Sequence, residues 1–356
     1  MAKYEIAVIA GDGIGREVIP AAMDVLDVAA DVTGAFELRW QRFDWGCQYY
    51  LDTGRMMPES GLSTLGQFDS IFLGAIGYPG VPDHLSLWGL LLPIRQHFDQ
   101  YVNLRPVRLL PGIPGPLRDK GPDDVNFVCV RENTEGEYSG AGGRVHQGHP
   151  EEAVVQTAIF TRAGTERIIR YTFEYARRHG RRKVSSATKS NAINHSMVFW
   201  DEVFEKVAAD YPDIQSDKYH VDALAARFIT HPQTLDVVVG SNLFGDILTD
   251  LGGALQGSLG VPASANLNPE KRYPSMFEPV HGSAPDIAGK GMANPVASIW
   301  AGAMMLEHLG ETEGARLVIE ALEKTTAARE IITPDLGGSG TTRAFTEAVV
   351  RALRGL

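Results

Sequence analysis

Two aspartates one helical turn apart are the residues whose type and spacing point most clearly to chemistry. Asp246 and Asp250 lie in the segment Ser241–Asp250, directly after the apolar run Leu235–Gly240. Side chains four residues apart on a helix face the same way, and such a carboxylate pair offers the oxygen ligands that a hard divalent cation takes. A solvated acidic helix face would have the same spacing, but no Lys, Arg or Glu occurs from Ser241 to Gly257. The pattern therefore favours a metal site.

Other polar residues follow other apolar runs. Asp222 comes after Lys218–Val221 and is a third candidate metal ligand, although a helix N-cap would look the same. Tyr138 and Lys189 are candidates for acid and base, although each alone would be an ordinary surface group. Three arginines accompany apolar runs: Arg95, Arg105 and Arg131. Because an arginine binds a carboxylate at two points, three of them together favour a substrate with more than one carboxylate.

Two glycine-bearing loops are candidates for binding a nucleotide. Gly11–Gly15 resembles the start of the dinucleotide fingerprint, but its third glycine is misplaced by one position. The loop Glu278–Gly289, called here the cofactor loop, contains small residues that permit close backbone approach, and its Asp286 can accept hydrogen bonds from ribose hydroxyls. We therefore expect the nucleotide at the cofactor loop.

Short apolar runs alternate with helix-period segments, which predicts an α/β protein with largely parallel, buried strands. The glycine-rich segment Tyr138–Pro150 is interpreted as a long turn or an exposed arm, and Leu110–Asp124 as an excursion between domains or layers. Predicted strands lie at Ile6–Ala10, Ser70–Ala75, Val125–Val130, Val184–Ala187, Lys218–Val221 and Leu235–Gly240, and predicted helices at Arg16–Ala30, Asn294–Leu309, Thr312–Thr325 and Thr342–Leu356.

Composition limits the class of protein. A chain of 356 residues has room for two domains. Its net charge of −11 argues against a general nucleic-acid binder, which needs a basic surface. Cys47 and Cys129 are the only cysteines, which fits a reducing compartment. With no secretory signal visible and no apolar stretch of bilayer length, we expect a cytoplasmic protein without membrane contact.

Together these motifs resemble the decarboxylating isocitrate/3-isopropylmalate dehydrogenase family over essentially the whole chain. Asn242–Val261 is similar to the signature segment of the family, and Glu278–Pro295 to its nucleotide loop. Within the family, the chain looks most like the tartrate and D-malate dehydrogenase branch, through Asp83–Gly89, Val130–Ser139 and Ala187–Asn191.

The resemblance implies a two-domain fold with a non-Rossmann nucleotide site. Residues 1–104 and 255–356 would form the cofactor-binding domain, and residues 105–254 the metal, substrate and dimerisation domain, with an arm near residues 135–160. It also implies a homodimer with shared active sites, in which Lys189 and Asp222 of one subunit lie beside Asp246 and Asp250 of the other.

The resemblance also assigns roles to individual residues. It gives catalytic roles to Tyr138, Lys189 and Asp222. The metal ion, Mg²⁺ or Mn²⁺, would be bound by Asp222, Asp246 and Asp250. Substrate contacts fall to Arg95, Arg105, Arg131, Tyr138, Lys189, Trp88 and Leu91. Cofactor contacts fall to Asn191, Glu278, His281, Gly282, Ser283, Ala284, Asp286, Ile287 and Asn294. Asp286 and Ile287 match the NAD type, and K⁺ is a further candidate cofactor.

The function implied is NAD- and metal-dependent oxidation of a 2-hydroxy dicarboxylic acid. Tartrate would give oxaloglycolate, D-malate would give pyruvate and CO₂, and decarboxylation of meso-tartrate to glycerate is a further reaction of this branch. Trp88 stands where isopropylmalate enzymes carry Glu, so a small pocket over C3 is expected. The alternatives are a 3-isopropylmalate dehydrogenase and, outside enzymes, a metabolite-binding regulatory protein of the same fold.

Overall fold

The computed structural model describes all 356 residues, and strands alternate with helices along much of the chain. The strands are β1 Ala2–Gly11, β2 Phe36–Arg42, β3 Ser70–Ala75, β4 Val102–Arg108, β5 Asn126–Glu132, β6 Gly136–Val145, β7 Ala153–Ile159, β8 Lys183–Thr188, β9 Gln215–His220, β10 Val237–Gly240, β11 Ala263–Leu267 and β12 Ser275–Pro279.

The α-helices are α1 Gly15–Thr33, α2 Cys47–Thr53, α3 Gly61–Leu65, α4 Asp83–Ser86, α5 Leu92–His97, α6 Arg162–Arg178, α7 Ser196–Ala208, α8 Val221–Thr230, α9 Asn242–Leu255, α10 Val296–Leu309, α11 Thr312–Ala328 and α12 Thr342–Arg354. A π-helix covers Leu87–Leu91, and 3₁₀ turns cover Pro232–Thr234 and Pro334–Leu336. None of the helices is both long and apolar enough to span a membrane.

The chain divides into two compact units. Unit 1 comprises Met1–Gln100, Arg108–Pro122 and Gly253–Leu356, and unit 2 comprises Tyr101–Val107 and Asp123–Gly252.

The strands of unit 1 follow the order β2-β1-β3-β12-β11. β1 is parallel to β2 and β3, β12 is parallel to β3, and β11 is antiparallel to β12. All six residues of β3 are buried, as expected for a central strand covered on both faces. Helix α10 is buried on nearly all sides, because its sequence is apolar all round.

Residues 108–122 belong to unit 1, whereas the boundaries implied by the resemblance placed them in the other domain. Arg108 forms an ion pair with Glu323 at 2.5 Å, and Arg329 donates a hydrogen bond to the Gly112 carbonyl. A Cβ atom added at Gly112 would lie 2.1 Å from the Thr326 carbonyl oxygen. These contacts hold the Pro- and Gly-rich segment against α11.

The strands of unit 2 follow the order β4-β5-β10-β8-β9, with β10 parallel to β5 and β8, and β9 parallel to β8. All of β10 and five residues of β8 are buried. β9 differs from the expected buried strand, because no residue of it is fully buried. Its position at the edge of the sheet explains this, and its Lys218 forms ion pairs with Asp201 and Glu205.

A separate two-stranded antiparallel hairpin, β6 and β7, also belongs to unit 2. The expected long turn or exposed arm at Tyr138–Pro150 is mostly strand, because β6 covers its residues up to Val145 and the chain returns through β7. Every residue of β7 is exposed, including Val154 at 67% and Val155 at 61%. Glycine-rich segments carry little strand signal of their own, which is why the pairing was not predicted.

Candidate active site

The start of α9 places Asp246 and Asp250. β10 ends at Gly240, and the Ser241 hydroxyl accepts a hydrogen bond from the Phe244 amide at 3.4 Å, which is the N-cap contact of a helix. The aspartates follow at intervals of one turn, with side chains 35% and 72% exposed. The two carboxylates thus follow the carboxyl end of a strand, which is where ligand sites occur in α/β sheets.

Arg131, at the end of β5, lies directly against this helix. A Cβ atom added at Gly245 would lie 2.6 Å from the Arg131 Cβ, so only glycine permits the close approach. Arg131 Nε and Nη2 donate to Asn242 Oδ1 at 3.0 and 2.7 Å, and Nη1 donates to Asp246 Oδ1. Because its side chain is only 3% exposed, Arg131 is held in one orientation.

Tyr138, on β6, contacts the same aspartate. Its hydroxyl donates to Asp246 Oδ2 at 3.0 Å, and Arg131 Cζ lies 5.5 Å from the centre of its ring. Burial and then the charge of Asp246 raise the pKa of Tyr138 above its ordinary value. Both effects disfavour the charged phenolate form of Tyr138.

Arg105, on β4, lies near both aspartates. Its Nη2 is 3.9 Å from Asp246 Oδ1, its Nη1 is 3.8 Å from Asp250 Oδ1, and Nη1 donates to Thr249 Oγ1 at 2.6 Å. One guanidinium within 4 Å of both carboxylates means that the two carboxylates converge on one region. We call Arg105, Arg131, Tyr138, Asp246 and Asp250 the Asp246 cluster.

The Asp246 cluster fits a divalent cation in its chemistry. Its two converging carboxylates are hard oxygen donors and already attract positive guanidinium groups. No three His, Cys, Asp or Glu side chains of the chain are grouped closely enough to hold a metal ion. Asp222 therefore does not complete a three-carboxylate site within one chain, and further ligands would have to come from substrate, water or a second copy.

Lys189 and Asp222 form a pair of their own in unit 2. Lys189 Nζ lies 2.6 Å from Asp222 Oδ1, and this hydrogen bond lowers the pKa of Asp222. Lys189 follows β8, and Asp222 lies in the first turn of α8 after β9, so the parallel pairing of these strands brings the two side chains together. The Asp222 side chain is 68% exposed and faces solvent.

Three residues of this region were not predicted as part of the site. Asn242 binds Arg131, Thr249 binds Arg105, and the Glu137 carboxylate accepts hydrogen bonds from Ser241 Oγ and the Leu243 amide. These partners are separated by 104 to 144 residues in sequence, so spacing alone held no signal for them.

Two predicted site residues of unit 1 bind each other. Arg95 Nη2 donates to Glu278 Oε1 at 2.8 Å, and both side chains are less than a tenth exposed, at 7% and 8%. Asn266 Nδ2 donates to the same oxygen at 2.7 Å. The Glu278 carboxylate therefore compensates the Arg95 charge in this structure.

Trp88 and Leu91 lie in the π-helix before α5. The Leu92 amide donates to the Leu87 carbonyl, five residues back, and the next residue, Pro93, has no amide hydrogen with which to continue an α-helical pattern. Trp88 is 45% exposed. A large aromatic ring with that exposure is available to contact a ligand.

The cofactor loop in unit 1 is positioned by backbone contacts. The Ile14 amide donates to the Ser283 carbonyl at 2.8 Å, and a Cβ atom added at Gly13 would lie 1.9 Å from that oxygen. Gly13 is also in the left-handed region, at φ +51°. Gly13 therefore serves to seat the cofactor loop, whereas Gly15 packs against the backbone of Ala10 and Ala75.

The cofactor loop fits a ligand that approaches its backbone. Nothing lies within 4 Å of a Cβ atom added at Gly282, and buried His281 Nε2 has no hydrogen-bond partner. Burial lowers the pKa of His281, which favours its neutral form. A cavity of about 360 Å³ is lined by residues after β1 and β3 and by Pro285, Ala288 and Gly289.

The remaining predicted cofactor residues divide into exposed and structural positions. Asn191 and Asp286 are exposed. Ile287 packs with Ile14 and Val18.

Asn294 is buried, accepts from the Val296 amide at 3.1 Å at the start of α10, and donates to Asp335 at 2.9 Å. Two of its hydrogen-bonding positions are thus used within the protein, and one N–H and one oxygen lone pair are left for the predicted nucleotide contact. Ser283 is buried, and Ala284 lies in the left-handed region at φ +39°.

Comparison with known proteins identifies the family. The isocitrate/isopropylmalate dehydrogenase model matches residues 5–349. A probable tartrate dehydrogenase/decarboxylase of Agrobacterium vitis is 54% identical over 355 residues, covering 100% of this chain and 97% of the relative. A decarboxylating D-malate dehydrogenase of Escherichia coli is 52% identical, covering 99% of each. The crystal structure of isocitrate dehydrogenase from Methylococcus capsulatus matches with a TM-score of 0.89 and 37% identity, covering 99% of each chain.

The chain belongs to the isocitrate/isopropylmalate dehydrogenase family. The predicted family, its tartrate and D-malate branch and the predicted α/β fold class are confirmed by these matches. Enzymes of this family typically use NAD or NADP together with a divalent metal ion.

Proposed function

We propose that the protein oxidises the hydroxyl of tartrate or D-malate with NAD as the hydride acceptor, and that CO₂ is lost from D-malate. The relatives that share about half of its residues over their full length carry those activities in their names. The observation that carries the proposal is the convergence of Arg105, Arg131 and Tyr138 on the carboxylates of Asp246 and Asp250.

The arginines of the Asp246 cluster suit a dianionic substrate. Arg105 and Arg131 are almost fully buried, with side chains 10% and 3% exposed, so their guanidinium groups are oriented before substrate arrives. Guanidinium groups bind carboxylates at two points. We assign the substrate carboxylates to these two residues. A substrate contact by Arg95 stays a prediction, because Arg95 donates its hydrogen bond to Glu278 within unit 1.

Asp246 and Asp250 would hold the divalent cation, Mg²⁺ or Mn²⁺. Such a cation, when bound, acts as a Lewis acid that lowers the pKa of the substrate hydroxyl. Because the two aspartates offer only part of a coordination sphere, we propose that Asp222 of a second copy of the chain adds a ligand. The protein would then act as a homodimer with shared active sites.

Proton transfers fall to Lys189 and Tyr138. Lys189, from the same second copy as Asp222, would accept the hydroxyl proton. NAD, which the cofactor loop would hold, would supply the hydride acceptor. Tyr138 would donate its proton to C3 after CO₂ has left, since its hydroxyl lies in the Asp246 cluster, 3.0 Å from Asp246 Oδ2. Asp286 favours NAD, because a carboxylate accepts a hydrogen bond from the ribose 2′-hydroxyl and repels a 2′-phosphate.

A substrate panel tests the proposal. NADH formation should be measured with D-malate, the tartrate stereoisomers and 3-isopropylmalate, each with Mn²⁺ and with NAD or NADP. We expect D-malate or a tartrate to give the highest kcat/KM with NAD. A higher kcat/KM with isopropylmalate would assign the protein to that activity, and the absence of NADH with every diacid would contradict an oxidative function.

A further inference from the structure

The strand that carries Tyr138 has little sheet support. β6 pairs only with β7, and β7 is exposed along its whole length. An isolated two-stranded hairpin is marginally stable at best in water. Within one copy of the chain, contacts other than sheet pairing therefore hold the Tyr138 hydroxyl 3.0 Å from Asp246.

The neighbouring residue, Glu137, ties this strand to the start of α9. Its Oε1 accepts from Ser241 Oγ at 2.9 Å, and its Oε2 accepts from the Leu243 amide at 3.1 Å. Amides in the first turn of a helix have no partner within the helix, and negative charge is favoured at that end. Glu137 therefore completes the helix cap with Ser241, as the glutamate of a capping box does, but from a strand 104 residues away.

A second contact fixes the same segment. Asn242 Nδ2 donates to the Glu135 carbonyl at 2.9 Å, while Asn242 Oδ1 accepts from Arg131. Three successive residues, Ser241 to Leu243, thus hold the chain just before Tyr138. Asp246 follows one turn later on the same helix, at the Tyr138 hydroxyl.

We propose that Glu137 is a positioning residue whose carboxylate sets the Tyr138 hydroxyl in place for protonation of C3. The inference rests on the proposed function. When the bond between C3 and its carboxylate breaks, CO₂ leaves and the electron pair remains as an enolate. The Tyr138 O–H bond then breaks as the new C3–H bond forms, and water later returns a proton to Tyr138. Oxidation of the C2 hydroxyl uses no proton from Tyr138, so Glu137 should affect protonation more than oxidation.

Glu137→Ala tests the inference by separating the two stages. With D-malate we expect pyruvate formation to fall at least about 10-fold, a fraction of the roughly 10²–10⁴-fold that proton transfer supplies. KM for D-malate and for NAD should stay within about 2-fold, and NADH from tartrate oxidation within about 3-fold, because these stages do not use the Tyr138 proton. In a Tyr138→Phe background, Glu137→Ala should cause no further loss, because the two residues act as one unit.

Control variants separate geometry from charge. Glu137→Gln keeps an oxygen acceptor for the Leu243 amide, so its pyruvate formation should stay within about 3-fold of that of the unchanged protein. Asp31→Asn removes the same charge from an exposed position on α1, and it should have no effect. Hydrogen–deuterium exchange without substrate gives a readout independent of turnover: the Leu243 amide should exchange faster in Glu137→Ala only.

Four results would overturn the inference. In Glu137→Ala, they are a loss of tartrate oxidation as large as the loss of pyruvate formation, and an unchanged exchange rate of the Leu243 amide. In the other variants, they are a further loss of pyruvate formation when Glu137→Ala is added to Tyr138→Phe, and a loss in Glu137→Gln as large as that in Glu137→Ala. Failure of the proposed function would look different, because the unchanged protein would then form no NADH from either diacid, while the exchange measurement would still report on the contact.

Discussion

The Asp246 cluster and the cofactor loop are built by opposite means. In the Asp246 cluster, charged side chains hold one another, and Arg131 and Tyr138 both bind the Asp246 carboxylate. In the cofactor loop, the close contacts are between backbones, and the space beside Gly282 is open. The first region should therefore depend on single charges, and the second on the absence of side-chain volume.

Removal of the Asp246 charge should have the largest effect. Asp246→Asn keeps the shape but removes the charge that faces Arg105 and Arg131, so Mn²⁺ affinity and kcat should each fall by at least about 10²-fold. Mn²⁺ binding can be followed by electron paramagnetic resonance, and kcat by NADH absorbance.

Asp31→Asn, an exposed aspartate on α1, is the matched control and should change neither quantity. If Asp246→Asn left the Mn²⁺ affinity unaltered, the metal ion would not bind at the Asp246 cluster. The contrast between the two regions would then be wrong.

Substitution of alanine for two glycines, Gly13 and Gly282, tests whether the cofactor loop depends on the absence of side-chain volume. Gly13→Ala puts a methyl group 1.9 Å from the Ser283 carbonyl and forces alanine to φ +51°, so it should lower Tm by at least a few degrees. Gly282→Ala meets open space in the protein, so it should leave Tm unchanged and raise KM for NAD about 10-fold by blocking close approach.

Thermal unfolding and NAD titration measure both variants, with KM for D-malate as the internal control. An unchanged KM for NAD in Gly282→Ala would mean that the cofactor does not approach the backbone at this position.

A smaller, pH-dependent effect concerns Glu132, which supports the turn between β5 and β6. Its carboxyl group accepts hydrogen bonds from the Thr134 amide and hydroxyl and from the Glu135 amide. Burial raises its pKa from 4.5 to about 7. The folded state therefore retains a proton that the unfolded chain releases, so the contribution of this group is fully present below pH 4.5 and is lost as pH rises through 7.

Glu132→Gln should flatten the pH dependence of the free energy of unfolding between about pH 5 and 7, where one such group contributes at most about 1.4 kcal/mol per pH unit. Urea unfolding at several pH values measures this slope, and Glu151→Gln should keep the slope of the unchanged protein. A slope that does not differ between Glu132→Gln and the unchanged protein would mean that Glu132 does not bind a proton on folding in this range.

Local features of the sequence predicted much of the fold and of the Asp246 cluster. The four-residue spacing of Asp246 and Asp250 after an apolar strand is visible in one short segment, and so is the position of Arg131 after another. The contacts of Glu137 and Asn242 were not visible, because they depend on which distant strand lies beside α9. Spacing also did not show that Arg95 and Glu278, both predicted to bind ligands, form a buried ion pair.

The central claim is that activity depends on a divalent cation at Asp246 and Asp250. The most direct test is NADH formation from D-malate or tartrate by the protein treated with EDTA, before and after excess Mn²⁺ is restored. We predict that EDTA abolishes NADH formation and that Mn²⁺ restores it. An undiminished rate in EDTA would contradict the claim.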